Sequence, residues 1–598
     1  MAQQFFSRRN IQFMLYEVLQ AEDLCNYEYF QDHSRDTFEL IIDTISKLGT
    51  GVMYPVFQDM DSNPPVYADG IARVHPVVRT YMQECGAGGW INPGASYEFG
   101  GQQLPSVINT VITFIMGAAN YSLSAYPQLT AGAANLLVNF GSKELQDLYL
   151  KPMLAGQWQG TMALTEPNAG SSLADVKTSA EDSGQGYFLI KGQKIFITGG
   201  STDATDNTVH MMLARIKGAP SGVKGISLFL VPKLYIDEAG NLQANDIFCT
   251  GIEHKLGYKG CPACQLSMGD NGSCRGYLIG EPHKGLAYMF QMMNEERVNV
   301  GIGATSKATA AYYAALEYAQ QRLQGRKLND KNPESPQIAI INHADIKRML
   351  MFQRAIAEGA LALGLQVSKY IDLVKAGKEP ENNELLVDFL VPVVKTYPSE
   401  MGILATSAAI QCLGGYGYCK DFPVEQYYRD IRIDPIHEGT TGIQGQDLLG
   451  RKVIMKKGQA YHLFKEELIK TINTAVEINN LKPAAKILEE AMTRVDQVTS
   501  HLLQAASQGD TGRFLSDASL YLEMMGILTI GWQWLLQGMA ACSALNSNNS
   551  SVDKDFYEGK IITMQYYFDY EMPRINTMCT ILTRNEGFMS DIPLEVFL

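Results

Sequence analysis

At 598 residues the chain exceeds what one hydrophobic core usually serves, so several domains are expected. Hydrophobic residues at 46% and charged residues at 19% are an ordinary globular balance. A net charge of −14, with no clustered Lys and Arg, excludes a nucleic-acid footprint.

The N-terminus carries Arg8 and Arg9, then breaks into Glu17, Glu22 and Asp23 before any long apolar run, so a signal peptide is not expected. No run of about 18 apolar residues is evident along the chain, which leads us to expect a soluble, cytoplasmic protein without a membrane span. Residues 1 to 85 read as helical, with Ile11, Met14, Leu15, Val18 and Leu19, then Phe38, Ile41, Ile42, Ile45 and Leu48, at three-to-four spacing. Pro55, Pro64 and Pro65 mark a loop or linker. A second helical region runs from Pro105 to Leu154, with Gly141-Ser142 separating two helices.

From Thr161 to Gly280 the pattern changes to short β-branched and aromatic runs punctuated by glycine, with Lys191-Gly192 as a turn. This predicts a small antiparallel β domain inserted between helical regions. Within it Cys261-Pro-Ala-Cys264 could form half of a zinc site, but Cys249 and Cys274 stand alone where a second knuckle is needed. Ten scattered cysteines suit reduced, buried thiols, and no metal is expected. The helical period returns at Gly285 through Met289, Met292 and Met293. It continues over 308–323, 346–376 and 387–412, enough for a four-helix bundle. Beyond Lys456, stretches 484–507, 515–541 and 554–584 predict an appended helical domain whose apolar face must be buried. The polar, neutral run 546–551 offers no basic face for anionic lipid. The expected division is 1–158 helical, 159–280 β, 281–455 helical bundle and 456–598 helical.

Four short segments carry the chemistry. Thr165-Glu-Pro-Asn-Ala-Gly170-Ser171-Ser172 joins hydroxyls to small residues, so its backbone can approach a ligand, although alone it reads as a loop. Phe196-Ile-Thr198-Gly199-Gly200 offers an aromatic and a hydroxyl at a strand end, where an aromatic is usually core. Gln411-Cys-Leu-Gly414-Gly415-Tyr-Gly417-Tyr418 ends a helix in glycines that permit close backbone approach. Lastly, Glu438 follows an apolar segment and opens a Gly-Thr-Thr-Gly turn; withdrawal from bulk water would make it a stronger base. The plainer reading has Glu438 capping a helix or pairing with Arg429 or Arg432, and His437 pointing elsewhere.

Together and in this order, these segments, with Lys255-Leu-Gly257 and Arg297 between them, resemble the acyl-CoA dehydrogenase family from about 80 to 455. The first 80 residues and the tail resemble its enlarged branch, which includes 3-methylthiopropionyl-CoA dehydrogenase. The resemblance implies a helical N-terminal domain, a β-barrel middle domain and a four-helix bundle, plus the extra C-terminal helices. It implies FAD and an acyl-CoA substrate, fatty acid β-oxidation, and electron-transferring flavoprotein as acceptor. Glu438 would remove the α-proton, its backbone N–H and a ribityl hydroxyl of FAD would hold the thioester oxygen, and Cβ would pass hydride to flavin N5. Met162, Leu164, Thr165, Gly170 and Ser171 would border the flavin and the CoA entrance, and Phe196 and Thr198 the isoalloxazine. Phe196 stands where many members carry tryptophan. Arg322 would reach the FAD pyrophosphate of a neighbouring subunit in a homodimer, although the family's Arg-Lys-Thr-Phe-Gly is here Arg322-Leu-Gln-Gly-Arg326. Gln411 and Gly415 would touch the adenosine half, with Thr440 and Gln444 nearby; Ser171, Arg297 and Gly439 would face the substrate. Two alternatives stay open: a flavin acyl-CoA oxidase, and a catalytically silent CoA-binding scaffold.

Overall fold

The computed structural model describes residues 4–546, 553–584 and 587–598; most of the polar run 546–551 therefore lies outside the described residues. The chain divides into two compact units. One comprises the residues up to Leu40, Pro105–Ala118 and Arg297–Leu598; the other comprises Ile41–Leu104 and Ala119–Glu296.

The second unit is built on β-structure. A hairpin pairs β1 (Val66–Ala68) with β2 (Ile71–Arg73), in the region expected to be helix or linker. Two short β-branched and small-residue runs around Asp69-Gly70 are enough for it, because both of these residues adopt positive φ. The main sheet takes β3 (Trp158–Ala163), β4 (Ser179–Asp182), β5 (Phe188–Thr198), β6 (Asn207–Ile216) and β7 (Ile226–Pro232). After a small pair, β8 (Leu234–Ile236) with β9 (Leu242–Ala244), it adds β10 (Ile247–Ile252), β11 (Ala263–Met268) and β12 (Arg275–Ile279). The order is β10-β11-β5-β12-β7-β6-β3, with β4 on β5 and β6. Most pairs are antiparallel, but β3 and β4 run parallel to β6, so the sheet is mixed.

Every residue of β7 is buried, which fits its uninterrupted apolar sequence, covered on both faces. One face packs Phe229, Val231, Ile190, Ile197 and Leu266 with Cys249, Cys264 and Cys274; these thiols are core. The other face packs Met211, Leu213, Leu228 and Leu230 against Leu137, Tyr149 and Met153 of the flanking helices. Lys191-Gly192 is not a turn; β5 runs straight through it for 11 residues. Gly192 is needed there because a Cβ would fall 2.6 Å from Thr178 Oγ1.

The expected helix break at Gly141-Ser142 is present, with Ser142 Oγ accepting from Leu145 N to cap Lys143–Leu154. The helix before it, Ser106–Phe140, corrects the reading that no span-length apolar run exists: it is long and apolar enough to cross a membrane, and 89% of its most apolar window is buried in the protein.

In the first unit the helices Ala344–Lys375 and Pro380–Leu413 pack along their lengths. The Gly285–Gln321 helix reaches Pro380–Leu413 by backbone contact: a Cβ on Gly301 would lie 2.0 Å from Val394 O. The tail is packed on these helices. Its Ala518–Asn546 helix is apolar on all sides and buried, with Gly526 against the Tyr397 ring and Trp534 Nε1 donating to Ala355 O at 2.9 Å. The stretch expected as one helix over 554–584 is Lys554–Tyr566, a π turn, and Arg574–Arg584, parted at Pro573, which lacks the N–H a continuous helix needs.

Candidate active site

The sequence-predicted residues fall into two sets, one in each unit. In the β unit, half-buried Met162 is the penultimate residue of β3, and Leu164 and Thr165 follow the strand. The turn after them is closed by Glu166 and Ala169, which exchange backbone hydrogen bonds at 2.9 and 3.1 Å and leave Gly170 and Ser171 exposed. Glu166 organises this turn from inside, accepting from Lys177 N at 2.7 Å, Thr178 N at 3.0 Å and Lys194 Nζ at 2.9 Å. Lys194 also donates to Leu164 O at 2.9 Å. Burial pushes the Lys194 ammonium down to about 8 against the pull of Glu166. Burial would raise the Glu166 carboxyl, but Lys194 and the Thr178 and Lys177 donors outweigh it and hold it below its ordinary value.

Phe196 lies in a bulge. Between Lys194 and Ile197, β5 has one more residue than its partner has between Leu266 and Cys264. The backbone takes up the extra residue with φ +59° at Phe196, and the ring is 58% exposed instead of joining the core. Thr165 O accepts from Ile195 N at 3.0 Å, so the hydroxyl turn and the exposed ring are tied together; Thr198 is half-buried two residues on.

In the helical unit, Pro380–Leu413 ends at Gly414, whose φ of +58° turns the chain into a 3-10 segment, Gly414–Tyr418. A groove of about 470 Å³ runs here, lined by Arg322, Gln324, Gln411, Gly414, Gly415 and Tyr416 among others. No atom lies within 4 Å of where a Cβ would stand on Gly414 or Gly415. Arg322 is exposed, with its guanidinium 5.8 Å from the Tyr416 ring centre.

Glu438 occupies a left-handed conformation, φ +52°, followed by Gly439 at φ +92°. Glu438 as a residue is half-buried. The following helix is capped by Thr440, which accepts from Ile443 N, and not by Glu438, and Arg429 pairs with Glu425 at 2.7 Å. His437 turns to Asp434, 3.3 Å away. The turn is fastened through its carbonyls. Arg297 Nε and Gln444 Nε2 donate to Glu438 O at 3.4 and 3.1 Å, and Lys395 Nζ donates to Gly439 O at 2.8 Å. Arg297 is 3% exposed, lies 3.5 Å from Asp447, and is pushed below its ordinary value by burial. Gln444 is fully buried and its Oε1 has no hydrogen-bond partner. Thr441 Oγ1 donates to Glu400.

Lys395 was not singled out from the sequence. The signal was present, a lone cation in the apolar run Leu390-Val-Pro-Val-Val-Lys395, which has to find a polar partner. Lys307, in an alanine-rich helix, reads the same way, and it pairs with buried Asp434 at 3.0 Å.

Four family models match the chain in succession: acyl-CoA dehydrogenase N-terminal domain over 55–157, middle domain over 161–270, C-terminal domain over 283–453, and an acetyl-CoA dehydrogenase C-terminal-like domain over 465–593. The 3-methylmercaptopropionyl-CoA dehydrogenase of Ruegeria pomeroyi is 38% identical over 80% of this chain and 81% of its own length. The broad-specificity linear acyl-CoA dehydrogenase FadE5 of Mycobacterium tuberculosis is 33% identical over 98% of both chains. A Bacillus anthracis acyl-CoA dehydrogenase solved in complex with FAD shares the fold, with a TM-score of 0.72 at 19% identity over 96% of this chain and 91% of that one. Matches in unbroken order from residue 55 to 593, tail included, and relatives aligned from end to end establish that the chain belongs to the acyl-CoA dehydrogenase family.

Proposed function

We propose that the chain is an FAD-dependent acyl-CoA dehydrogenase that converts an acyl-CoA thioester to the trans-2-enoyl-CoA, with Glu438 as the base. The observation that carries this reading is the Glu438–Gly439 turn. A left-handed glutamate is a strained arrangement that persists only where its surroundings over-determine it, and Arg297, Gln444 and Lys395 hold its two carbonyls. A glutamate whose backbone is so fixed, and which is not fully buried, can meet a substrate Cα–H and take its proton. The Glu438 N–H donates to the thioester oxygen as negative charge gathers there.

The residues present fit FAD. The open groove beside Arg322, Gln411 and Gly415 has room for the nucleotide half of FAD held by a neighbouring subunit of the proposed homodimer, and the Arg322 guanidinium suits its pyrophosphate. The exposed Phe196 ring offers a flat apolar face for the isoalloxazine, and Thr165 and Thr198 supply hydroxyls beside it. Met162, Leu164, Gly170, Ser171 and Thr440 complete the proposed FAD set, and Ser171 and Gly439 serve the acyl-CoA; Gln444 and Arg297, expected in those sets, are instead buried beneath the turn, where they hold the Glu438 carbonyl. When bound, FAD supplies the acceptor for the β-hydrogen, taken as hydride. Electron-transferring flavoprotein is the proposed onward acceptor.

Exchanging Glu438→Gln tests the reading, because the amide keeps the shape and cannot accept the α-proton. FAD and acyl-CoA binding are expected to persist while substrate-driven flavin reduction falls by roughly two to four orders of magnitude. Near-wild-type reduction in this variant would move the base elsewhere.

A further inference from the structure

Lys395 lies beneath the Glu438–Gly439 turn in the middle of the Pro380–Leu413 helix, its side chain wholly buried. Burying an ammonium there carries a desolvation cost that only its hydrogen bonds and nearby carboxylates offset. Its Nζ donates to a backbone carbonyl, Gly439 O, at 2.8 Å. Charged groups face it from each neighbouring element. Asp434 and Glu438 come from the loop beyond the Val424–Ile431 helix, Glu400 from farther along its own helix, and Arg297 from the Gly285–Gln321 helix. Asp434 is itself engaged by Lys307 at 3.0 Å and by His437 at 3.3 Å. Burial pushes Lys395 down to about 8, while Asp434, Glu438 and Glu400 pull the other way and keep the charged form at neutral pH.

We propose that Lys395 is a positioning residue for the reaction. Holding the Gly439 carbonyl while Arg297 and Gln444 hold that of Glu438, its ammonium locks the left-handed turn that aims the base. A charge-assisted bond to the carbonyl is stronger than one from a neutral amine, so the lock should weaken when the proton leaves. The inference rests on Glu438 being the base, and the experiment separates the two.

Anaerobic flavin reduction by substrate would be followed across pH in the FAD-loaded wild type, Lys395→Met, Lys395→Arg and Glu438→Gln. In Lys395→Met the limiting rate is expected to fall at least about tenfold with FAD content and KM little changed, since misaiming by about 1 Å is costly to the reacting step. The wild-type rate should decline as pH rises through about 8, and Lys395→Arg, which keeps its charge, should carry that limb beyond about pH 10. Either a wild-type limiting rate in FAD-loaded Lys395→Met or a flat wild-type profile from pH 7 to 10 would overturn the proposal, the latter needing no variant to fold. An active Lys395→Arg that kept the limb near pH 8 would also overturn it. Full reduction by Glu438→Gln would sink the base assignment instead, whatever the lysine variants do.

Discussion

Phe196 adopts a backbone conformation that costs a residue with a Cβ roughly 1–2 kcal/mol, and gains little burial in return because its ring faces outward. In Phe196→Ala the bulge is kept and only exposed ring surface is lost, so the apo protein should melt within about 0.5 kcal/mol of wild type. Its affinity for FAD should nevertheless fall, measurable by quenching of flavin fluorescence; an unchanged affinity would remove Phe196 from the cofactor set. Lys194 should behave oppositely. Lys194→Met leaves the Glu166 carboxylate buried without its cation, and loss of about 3–5 kcal/mol is expected in denaturant titration. At this scale the sequence was informative about identity and silent about conformation. The hydroxyl, glycine and glutamate motifs were legible because their residue types announce chemistry. Nothing in the letters says that Phe196 and Glu438 take positive φ, since that depends on a bulge set by β11 and on donors reaching in from distant helices.

Two glycines distinguish packing from cofactor space at the level of elements. Gly301 lets the Gly285–Gln321 helix lie on the backbone of Pro380–Leu413 beside Lys395. Gly301→Ala must push the two helices apart, with an expected loss of about 1–3 kcal/mol in chemical denaturation and a lowered turnover. Gly415 faces open groove, so Gly415→Leu should leave stability within about 0.5 kcal/mol while crowding the nucleotide, read as FAD lost on gel filtration. If Gly415→Leu held FAD as firmly as wild type, the groove would not be its seat. Long helices were legible by their period and by the break at Ser142, whose capping hydroxyl is a local signal. The β1–β2 hairpin and the unbroken course of β5 were not, because three-residue strands have almost no periodicity and a glycine inside a strand looks like a glycine in a turn.

For the whole molecule, the proposed homodimer is expected as the FAD-loaded species in light scattering coupled to gel filtration. A tetramer or monomer as the main active species would contradict this. The tail helices have a more immediate role. A Cβ on Gly445, in the short Thr441–Asp447 helix that follows Glu438, would lie 2.6 Å from Ala518 O at the start of the buried Ala518–Asn546 helix. The segment carrying the base thus rests on the main chain of the tail, with no side chain between them to absorb a change. In terms of inheritance, the tail constrains the bundle at one letter: a chimera that sets another relative's bundle on this tail would stay active only if that bundle carried glycine at position 445.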